Sequence, residues 1–310
     1  MMVQLILWTS FAVTVIGLLV LDLVWFHRKD KEVSIKDALI WSVFWTVLAL
    51  IFNVVVYYFY GAGQALNFFT GYMLERTLSF DNLFVFLLVF TYFKVPAEYH
   101  HKILFWGILG ALVMRAVFIL AGVAVVHQFR WVLYLFGILL VWSGIQFVIG
   151  KDEEVDPEKN PVLRLFRKIF PITDTFEGGK FFIRRDGRLW ATPLVAVLLV
   201  IETSDVIFAV DSIPAIFGIT LDPMIIYTSN IFAILGLRAL YFALAGLMKI
   251  FKHLNYGLAL ILVFIGVKML IADIFHIPVW VALSVIMGTL GVCILTSIYF
   301  GSKNEDAGTS

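Results

Sequence analysis

The sequence predicts an all-α integral membrane protein with about nine transmembrane helices, and three observations lead to that class. Of its 310 residues 62% are hydrophobic and only 15% are charged, whereas about 25% charged residues are usual in a soluble domain. The apolar residues stand in long continuous runs without the alternation of a β-barrel. Lysine and arginine gather in alternate loops between those runs. A soluble domain is therefore excluded, and a net charge of +1 gives no reason to expect a nucleic-acid partner.

Nine apolar runs, bounded by charged residues, proline or glycine, are the predicted spans. They cover residues 3–26, 37–60, 65–93, 102–127, 130–149, 191–217, 224–249, 255–274 and 277–300. The first run lacks the basic start and the small-residue cleavage site of a signal peptide, so we expect it to be retained. The third is too long for one straight perpendicular span, so we expect it to tilt or break.

The loops between the spans predict the orientation of the chain. Of the 23 lysines and arginines, 18 lie on one predicted side, in loops 27–36, 94–102, 150–190 and 249–253 and in the tail 301–310. The opposite side has only Arg130. By the positive-inside rule the N-terminus lies outside and the tail is cytoplasmic. In the largest loop, Asp186-Gly187 between short apolar stretches predicts a tight β-hairpin, to which we assign no chemistry.

The chain contains an internal repeat. Three segments realign at nearly constant offset: residues 79–86 with 203–210 at 124, residues 112–116 with 235–239 at 123, and Tyr134, Gly144 and Gln146 with Tyr256, Gly266 and Lys268 at 122. Each copy holds three spans, and since three is odd the second copy enters the membrane from the opposite side. Many secondary transporters have such inverted repeats and bind substrate near the bilayer midplane. A duplication in a membrane protein that transports nothing is the alternative.

The predicted organisation follows from the repeat and the loops. It consists of two N-terminal helices (1–63), the first repeat (64–149), a cytoplasmic loop (150–190), the inverted second repeat (191–274), a ninth helix (275–300) and a cytoplasmic tail (301–310).

Charged residues inside the predicted spans mark a candidate site, because an unpaired charge at the midplane costs roughly 2.5–3.5 kcal/mol. The acids are Asp22, Glu75, Asp81, Glu202, Asp205 and Asp211, and the bases are Arg76, Arg115, Arg238 and Lys268. Asp22 lies near a span end and equally fits a boundary residue. We expect Arg115 and Arg238 to pair with carboxylates, either for neutralisation or as a moving switch. We expect Lys268 to exchange a carboxylate partner when a cation arrives, which would couple transport to protons.

Helical geometry tests whether these acids converge. Glu75, Ser79 and Asn82 share one face, and Glu202 and Asp205 are i,i+3 neighbours, but Asp211 points away from Glu202 on a continuous helix. We therefore predict that both helices unwind, at residues 77–82 and around Ser212 and Pro214, so that freed carbonyl oxygens complete the site. Further candidate oxygen ligands are Ser79, Thr203, Ser204 and Asn230.

The ligand types indicate the class of ion. Carboxylate, amide and hydroxyl oxygens suit hard cations such as Mg²⁺, Ca²⁺ or Mn²⁺, and zinc or copper would recruit imidazole or thiolate. None of the six histidines lies at the middle of a predicted span, and Cys293 is the single cysteine. One cysteine excludes a thiolate cluster and an intramolecular disulfide. The residues alone therefore indicate a hard divalent cation.

The motif Glu75-x-x-Leu78-Ser79-x-Asp81-Asn82-x-Phe84-Val85-Phe86, together with residues 202–215, 230–239 and 257–271, resembles the TerC family of bacterial membrane proteins in its Alx-like branch. The resemblance covers essentially the whole chain. It implies a manganese exporter of the cytoplasmic membrane, related to LysE-type transporters. It also maps the cation site onto Glu75, Asp81, Asn82, Glu202, Asp205 and Asp211.

The leading hypothesis is a secondary transporter that exports Mn²⁺, exchanging it for protons. The alternative is a membrane scaffold or metal-delivery or sensing protein that binds Mn²⁺ without bulk transport. An enzyme is not expected, since no H-E-x-x-H, G-x-S-x-G or ATP-binding G-x-x-x-x-G-K-[ST] motif occurs. The expected partners are the ion, as cargo and not as a cofactor, and the lipid bilayer; a second copy or another membrane protein is a further candidate.

Overall fold

The described part of the chain is mostly helical, and the computed structural model describes residues 8–9, 11–17, 35–149, 160–185, 187–245 and 254–306. The helices are α1 (Ile35–Tyr92), α2 (Ala97–Gln128), α3 (Val132–Ile149), α4 (Pro161–Ile169), α5 (Pro193–Phe217), α6 (Pro223–Leu235), α7 (Leu237–Ala245), α8 (Leu254–Leu270) and α9 (Val279–Asp306). A 3₁₀ turn (Glu177–Gly179) precedes the strands β1 (Phe182–Arg185) and β2 (Arg188–Ala191). Residues 11–17 are also helical.

The helices have the length and surface of a multi-pass integral membrane protein. Within the described residues, four are long and apolar enough to cross a bilayer: Lys36–Ser79, Ala97–Gln128, Pro193–Phe217 and Pro223–Ala243. Three shorter apolar helices are Val132–Gln146, Tyr256–Leu270 and Val279–Cys293. Large apolar side chains point outward, as Ile149 (72% exposed) and Leu295 (69% exposed) show. Lipid accepts such a surface, whereas water would not.

α1 is a helical hairpin with two arms. Its 58 residues would form a rod of about 87 Å, but Gly61 leaves helical geometry with φ 83° and ψ 175°. The second arm then returns along the first: Arg76 Nη2 donates to Ser42 Oγ over 2.9 Å, and the rings of Phe52 and Phe68 lie 5.5 Å apart. The predicted boundary between the second and third spans therefore falls at a glycine, which adopts positive φ without steric penalty.

The two predicted unwound segments are wrong. α1 stays helical through residues 77–82, and α5 continues through Ser212 and Pro214 to its end at Phe217. The polar residues do not break the first helix: the Thr77 hydroxyl donates to the Met73 carbonyl of the same helix over 2.6 Å, and the Asn82 side chain bonds a neighbouring helix while its backbone stays helical. Pro214 lies in the last turn of α5, where a lost backbone hydrogen bond does not divide the helix.

An interruption lies instead at Gly236, between α6 and α7. Arg76 Nη1 donates to the Ala233 carbonyl over 3.2 Å, near the end of α6. A Cβ added at Gly236 would collide with the same guanidinium. The absence of a side chain at Gly236 thus lets Arg76 reach a carbonyl at the helix end, where a cation is electrostatically favoured.

Buried aromatic rings hold α6 against the two arms of α1. Phe232, fully buried, has its ring centroid 4.9 Å from Phe52 and 6.1 Å from Phe68. Aromatic rings at these separations stabilise the fold by more than the burial of their apolar surface alone would. This packing fixes α6 beside the second arm of α1, and it thereby places Asn230 close to that arm.

α3 and α8 cross at closely approaching backbones. A Cβ at Gly137 would lie 3.0 Å from the Gly266 carbonyl oxygen, and one at Gly266 would lie 2.7 Å from the Gly137 oxygen. A Cβ at Gly144 would lie 2.8 Å from the oxygen of Ala259. Residue 137 aligns with 259 and residue 144 with 266 at the offset of 122. Replacing each residue by its aligned equivalent therefore converts the 137–266 contact into the 144–259 contact.

The predicted hairpin in the large loop is confirmed. β1 and β2 pair antiparallel with the register Phe182↔Ala191 and Arg185↔Arg188, and Gly187 in the turn has φ 75°. Ile172 forms a bridge to Ala191. The described part of this loop is thus folded and leads directly into α5.

Candidate functional site

The centre of the candidate site is the buried guanidinium of Arg115, on α2. Its Nη1 pairs with the Glu75 carboxylate and donates to Asn230 Oδ1 over 2.5 Å and to Ser212 Oγ over 3.3 Å. Its Nη2 lies 3.4 Å from Asp205 Oδ1. Arg115 and Glu75 are each only 1% exposed, and Asp205 is 5% exposed. Four helices, α1, α2, α5 and α6, therefore meet at one ion-paired cluster, and the predicted pairing of Arg115 with carboxylates is confirmed.

Helical spacing explains why the second arm of α1 contributes to this cluster. Glu75, Ser79 and Asn82 follow at intervals of four and three residues, which places them on one face of a regular helix, and all three are buried. On α5, Asp205 and Ser212 are seven residues apart and share a face in the same way. No unwinding is needed to bring these groups together.

Asn82 connects α1 directly to α5. Its Nδ2 donates to Asp205 Oδ1 over 3.1 Å, so that oxygen receives both the amide and the guanidinium. Asn82 Oδ1, Asp205 Oδ2 and the Ser79 hydroxyl are buried without a hydrogen-bond partner in the described part of the chain. Buried polar atoms are usually paired, so the unpaired oxygens of Asn82 and Asp205, side by side, indicate a site that can accept a cation or water.

A small cavity of about 20 Å³ borders the cluster, which is room for about one water molecule. Its polar lining comes from Glu75, Asn82, Arg115, Asp211 and Ser212, and its apolar lining from Leu78, Phe208 and Leu262. An oxygen-rich wall beside apolar side chains gives an ion a low-dielectric environment, in which charge interactions are strong.

Asp211 and Glu202 lie away from the centre of the cluster. Asp211 lines the cavity and accepts a 2.8 Å hydrogen bond from Ser143 on α3. Glu202 packs against α2 at Gly110, where a Cβ would collide with its carboxylate. The expectation that Asp211 and Glu202 point apart on a continuous helix is confirmed. The expectation that all the acids gather through unwound helices is wrong.

Of the further oxygen ligands predicted, only some face the cluster. Asn230 bonds Arg115, and Ser79 lies on the same helix face as Glu75. The hydroxyls of Thr203 and Ser204 donate to carbonyls of their own helix, at Leu199 (2.6 Å) and Val200 (2.8 Å).

The remaining charged residues have different surroundings. Lys268 Nζ donates to the Gly218 carbonyl over 3.0 Å, at the C-terminal end of α5, so a carbonyl replaces the carboxylate that we expected. The negative end of a helix explains this choice of partner. Arg238 is buried, and its pairing with a carboxylate stays a prediction. Asp22 and the side chain of Asp81 lie outside the described residues.

Three residues near the site were not predicted as part of it. Ser212 is detectable from the sequence, because it lies two turns after Asp205 on the same face. Ser143 gives no such signal, since a lone serine in an apolar helix is common. Arg76 was recognised as an intramembrane base, but its place at the α6–α7 junction depends on tertiary packing.

The described side chains contain no group of three or more histidine, cysteine, aspartate or glutamate residues spaced to hold a metal ion. The cluster has two described carboxylates, on Glu75 and Asp205, and the Arg115 guanidinium pairs with both of them. The guanidinium is thus the cation of this arrangement.

Comparison with known proteins gives consistent results across the chain. The family described as integral membrane protein TerC family matches residues 60–305. An uncharacterized membrane protein of Myxococcus xanthus, STKORF319, is 47% identical over 98% of this chain and 94% of its own length. The Escherichia coli K12 protein named as a candidate membrane-bound redox modulator, Alx, is 44% identical over 97% of this chain and 96% of its own. An uncharacterized membrane protein of Rickettsia bellii is 40% identical over 94% and 96%. No solved structure matches.

Proposed function

Because the chain belongs to the TerC family of integral membrane proteins, we propose that it is a secondary transporter exporting a hard divalent cation across the bacterial cytoplasmic membrane. Mn²⁺ is the proposed cargo and protons are the proposed exchanged ion. The choice of Mn²⁺ rests on the family resemblance, and the choice of a hard cation rests on the residues of the site.

One observation carries the proposal: a buried cluster of acidic and amide side chains joins the two repeats beside a cavity. Asn82 in the first repeat bonds Asp205 in the second over 3.1 Å. Each copy contributes a buried carboxylate, from Glu75 and Asp205. A site formed by both repeats changes whenever one repeat moves against the other, as alternating access requires.

The chemistry of the available atoms supports a hard cation. The unpaired acceptors are oxygens of Ser79, Asn82 and Asp205, and carboxylate and carbonyl oxygens favour Mg²⁺, Ca²⁺ and Mn²⁺ over softer metals. The single cysteine, Cys293, lies on α9, outside this cluster.

The contacts between α3 and α8 support two repeats of opposite topology. A contact between residues 137 and 266 and one between 144 and 259 exchange under the repeat, as expected for two units related by an approximate two-fold axis. Combined with the distribution of positive charge, this gives the proposed topology of nine spans, with the N-terminus outside and the tail cytoplasmic.

Arg115 supplies a means of cation release. Its guanidinium bonds both carboxylates in this arrangement, so an entering Mn²⁺ replaces one positive charge by another of higher valence. When the repeats return, the tethered guanidinium competes with the metal for the same oxygens. Protonation of a carboxylate would lower the affinity for the metal further and would thus couple export to protons.

The test is initial-rate Mn²⁺ transport in proteoliposomes with an imposed pH gradient. We expect saturable transport by the wild type and only background rates for Asp205→Asn, Glu75→Gln and Asp81→Asn. Asp174→Asn, an exposed acid near the hairpin, is the matched control and should transport normally. Size-exclusion profiles show whether each variant folds. Wild-type rates in all three site variants would overturn the proposal.

A second candidate is a scaffold or sensor that binds Mn²⁺ without bulk transport. The position of Arg115 favours this candidate. Its guanidinium already pairs with both described carboxylates of the site. The candidate predicts stoichiometric, Asp205-dependent Mn²⁺ binding with no turnover under any pH gradient. Binding and flux measured on the same preparation therefore separate the two functions.

A further inference from the structure

We propose that α4 and the β1–β2 hairpin form a docking surface for the headgroups of anionic phospholipids. The segment from Asn160 to Thr192 contains seven lysines and arginines and three acids, and it takes no part in the cation site. It lies on the side of the membrane expected to be cytoplasmic.

The surface is fixed at the level of the membrane boundary by contacts with the start of α2. Lys102 Nζ donates to the Gly179 carbonyl over 2.5 Å and lies 4.9 Å from the centroid of the Phe181 ring. The Phe181 ring in turn lies 6.3 Å from that of Trp106, which is 45% exposed. Exposed tryptophan is enriched at the membrane–water interface, so the hairpin is held beside the headgroup layer.

α4 has the features of a helix that lies in the plane of that layer. Leu163 is buried against the protein, whereas Val162, Leu165 and Ile169 are 41%, 60% and 64% exposed. Their spacing of three and four residues forms one apolar stripe, and Lys168 lies on a different, exposed face. An exposed apolar stripe beside basic residues is typical of interfacial helices, which insert the stripe among the lipids.

The hairpin carries three arginines next to this helix. Its register places Arg185 directly opposite Arg188, a like-charge pair that destabilises a hairpin unless an anion neutralises it. Arg184, on the other face, lies opposite Leu189, and Leu189 is 44% exposed. No carboxylate of the described residues forms an ion pair with these three arginines.

These features select an anionic lipid surface over other partners. Positive charge, exposed apolar side chains and an interfacial tryptophan occur together at one membrane level. The cytoplasmic leaflet is negatively charged and attracts basic segments near the membrane. A soluble protein or nucleic-acid partner would account for the arginines of the hairpin but not for the apolar stripe on α4.

The experiment uses the full chain in a Cys293→Ala background with one added cysteine, carrying an environment-sensitive fluorophore. Leu165→Cys reports on the apolar stripe, and Lys168→Cys is the matched control on the same helix. Each protein is placed in nanodiscs of phosphatidylcholine alone or of equal parts phosphatidylcholine and phosphatidylglycerol. At position 165 we expect the fluorescence to shift to the blue and to be quenched by brominated lipid, and both effects should be larger in the anionic discs. The fluorophore at position 168 should stay in water.

Replacing Arg184, Arg185 and Arg188 together by glutamine should return the signal at position 165 to its value in phosphatidylcholine. The exposed Arg130→Gln change, in the α2–α3 turn, should not. A fluorophore at position 165 that stays in water in both lipids, or is shielded equally in both, overturns the proposal. Shielding that occurs only in discs that hold two copies of this protein also overturns the proposal, and it would identify a second copy as the partner.

Discussion

Arg115→Gln is the substitution whose cost follows most directly from the structure. It removes the guanidinium that neutralises two carboxylates, on Glu75 and Asp205, which are 1% and 5% exposed. It also removes the donor to Asn230. Breaking a buried ion pair by removing one partner typically costs about 3–5 kcal/mol, since the other charge stays buried. We expect a loss of that size in the free energy of unfolding.

The assay is reversible unfolding in mixed micelles by titration with a denaturing detergent, followed by tryptophan fluorescence. A double-mutant cycle with Glu75→Gln should show that the two changes together cost less than their sum, with a coupling of about 0.5–3 kcal/mol. Arg130→Gln removes an exposed arginine and should lie within about 0.5 kcal/mol of the wild type. An Arg115→Gln protein as stable as that control, or strictly additive changes, would refute the ion-pair argument.

Three further predictions concern positions where the structure gives a specific contact. Gly110→Ala displaces the carboxylate of Glu202, which packs on Gly110. The TerC resemblance assigns Glu202 to the cation path, so Mn²⁺ transport should fall about tenfold or more, whereas Gly63→Ala, with open space around it, should keep the wild-type rate. Gly144→Ala forces apart two backbones and should cost about 1–3 kcal/mol of stability, measured by the same unfolding titration; Gly288→Ala, also in open space, should cost far less. Lys268→Met removes the donor at the end of α5 and should lower stability without abolishing Mn²⁺ transport, and a complete loss of transport in a folded protein would restore a coupling role for this lysine.

Much of the fold could be predicted because the membrane limits the alternatives. Continuous apolar runs require helices when no water is present to satisfy the backbone, and the repeat offset of 122 matches α3 and α8 closely, since residues 132–149 map onto 254–271. The bend at Gly61 was also foreseeable as a boundary between spans. The break at Gly236 was not, because it depends on Arg76 arriving from another helix.

The site was predictable in its residue types and less so in its geometry. The sequence singled out the acids Glu75 and Asp205, since charge in the bilayer must be paired, and it singled out the amide of Asn82 by its helix face; the structure places all three in one cluster. The expectation of unwound helices failed because hydroxyl groups such as that of Thr77 bond carbonyls of their own turn. Which acid faces which helix is a matter of packing and cannot be read from spacing alone.

The adjacent residues Glu75 and Arg76 connect two places that are otherwise separate. One side chain enters the ion-paired cluster, and the other reaches the junction of α6 and α7, because successive residues on a helix point about 100° apart. The second arm of α1 is therefore one rigid helix that makes both contacts. Any rotation of this arm that withdraws the carboxylate from Arg115 also withdraws the guanidinium from the interrupted helix, so the two events are obliged to occur in step.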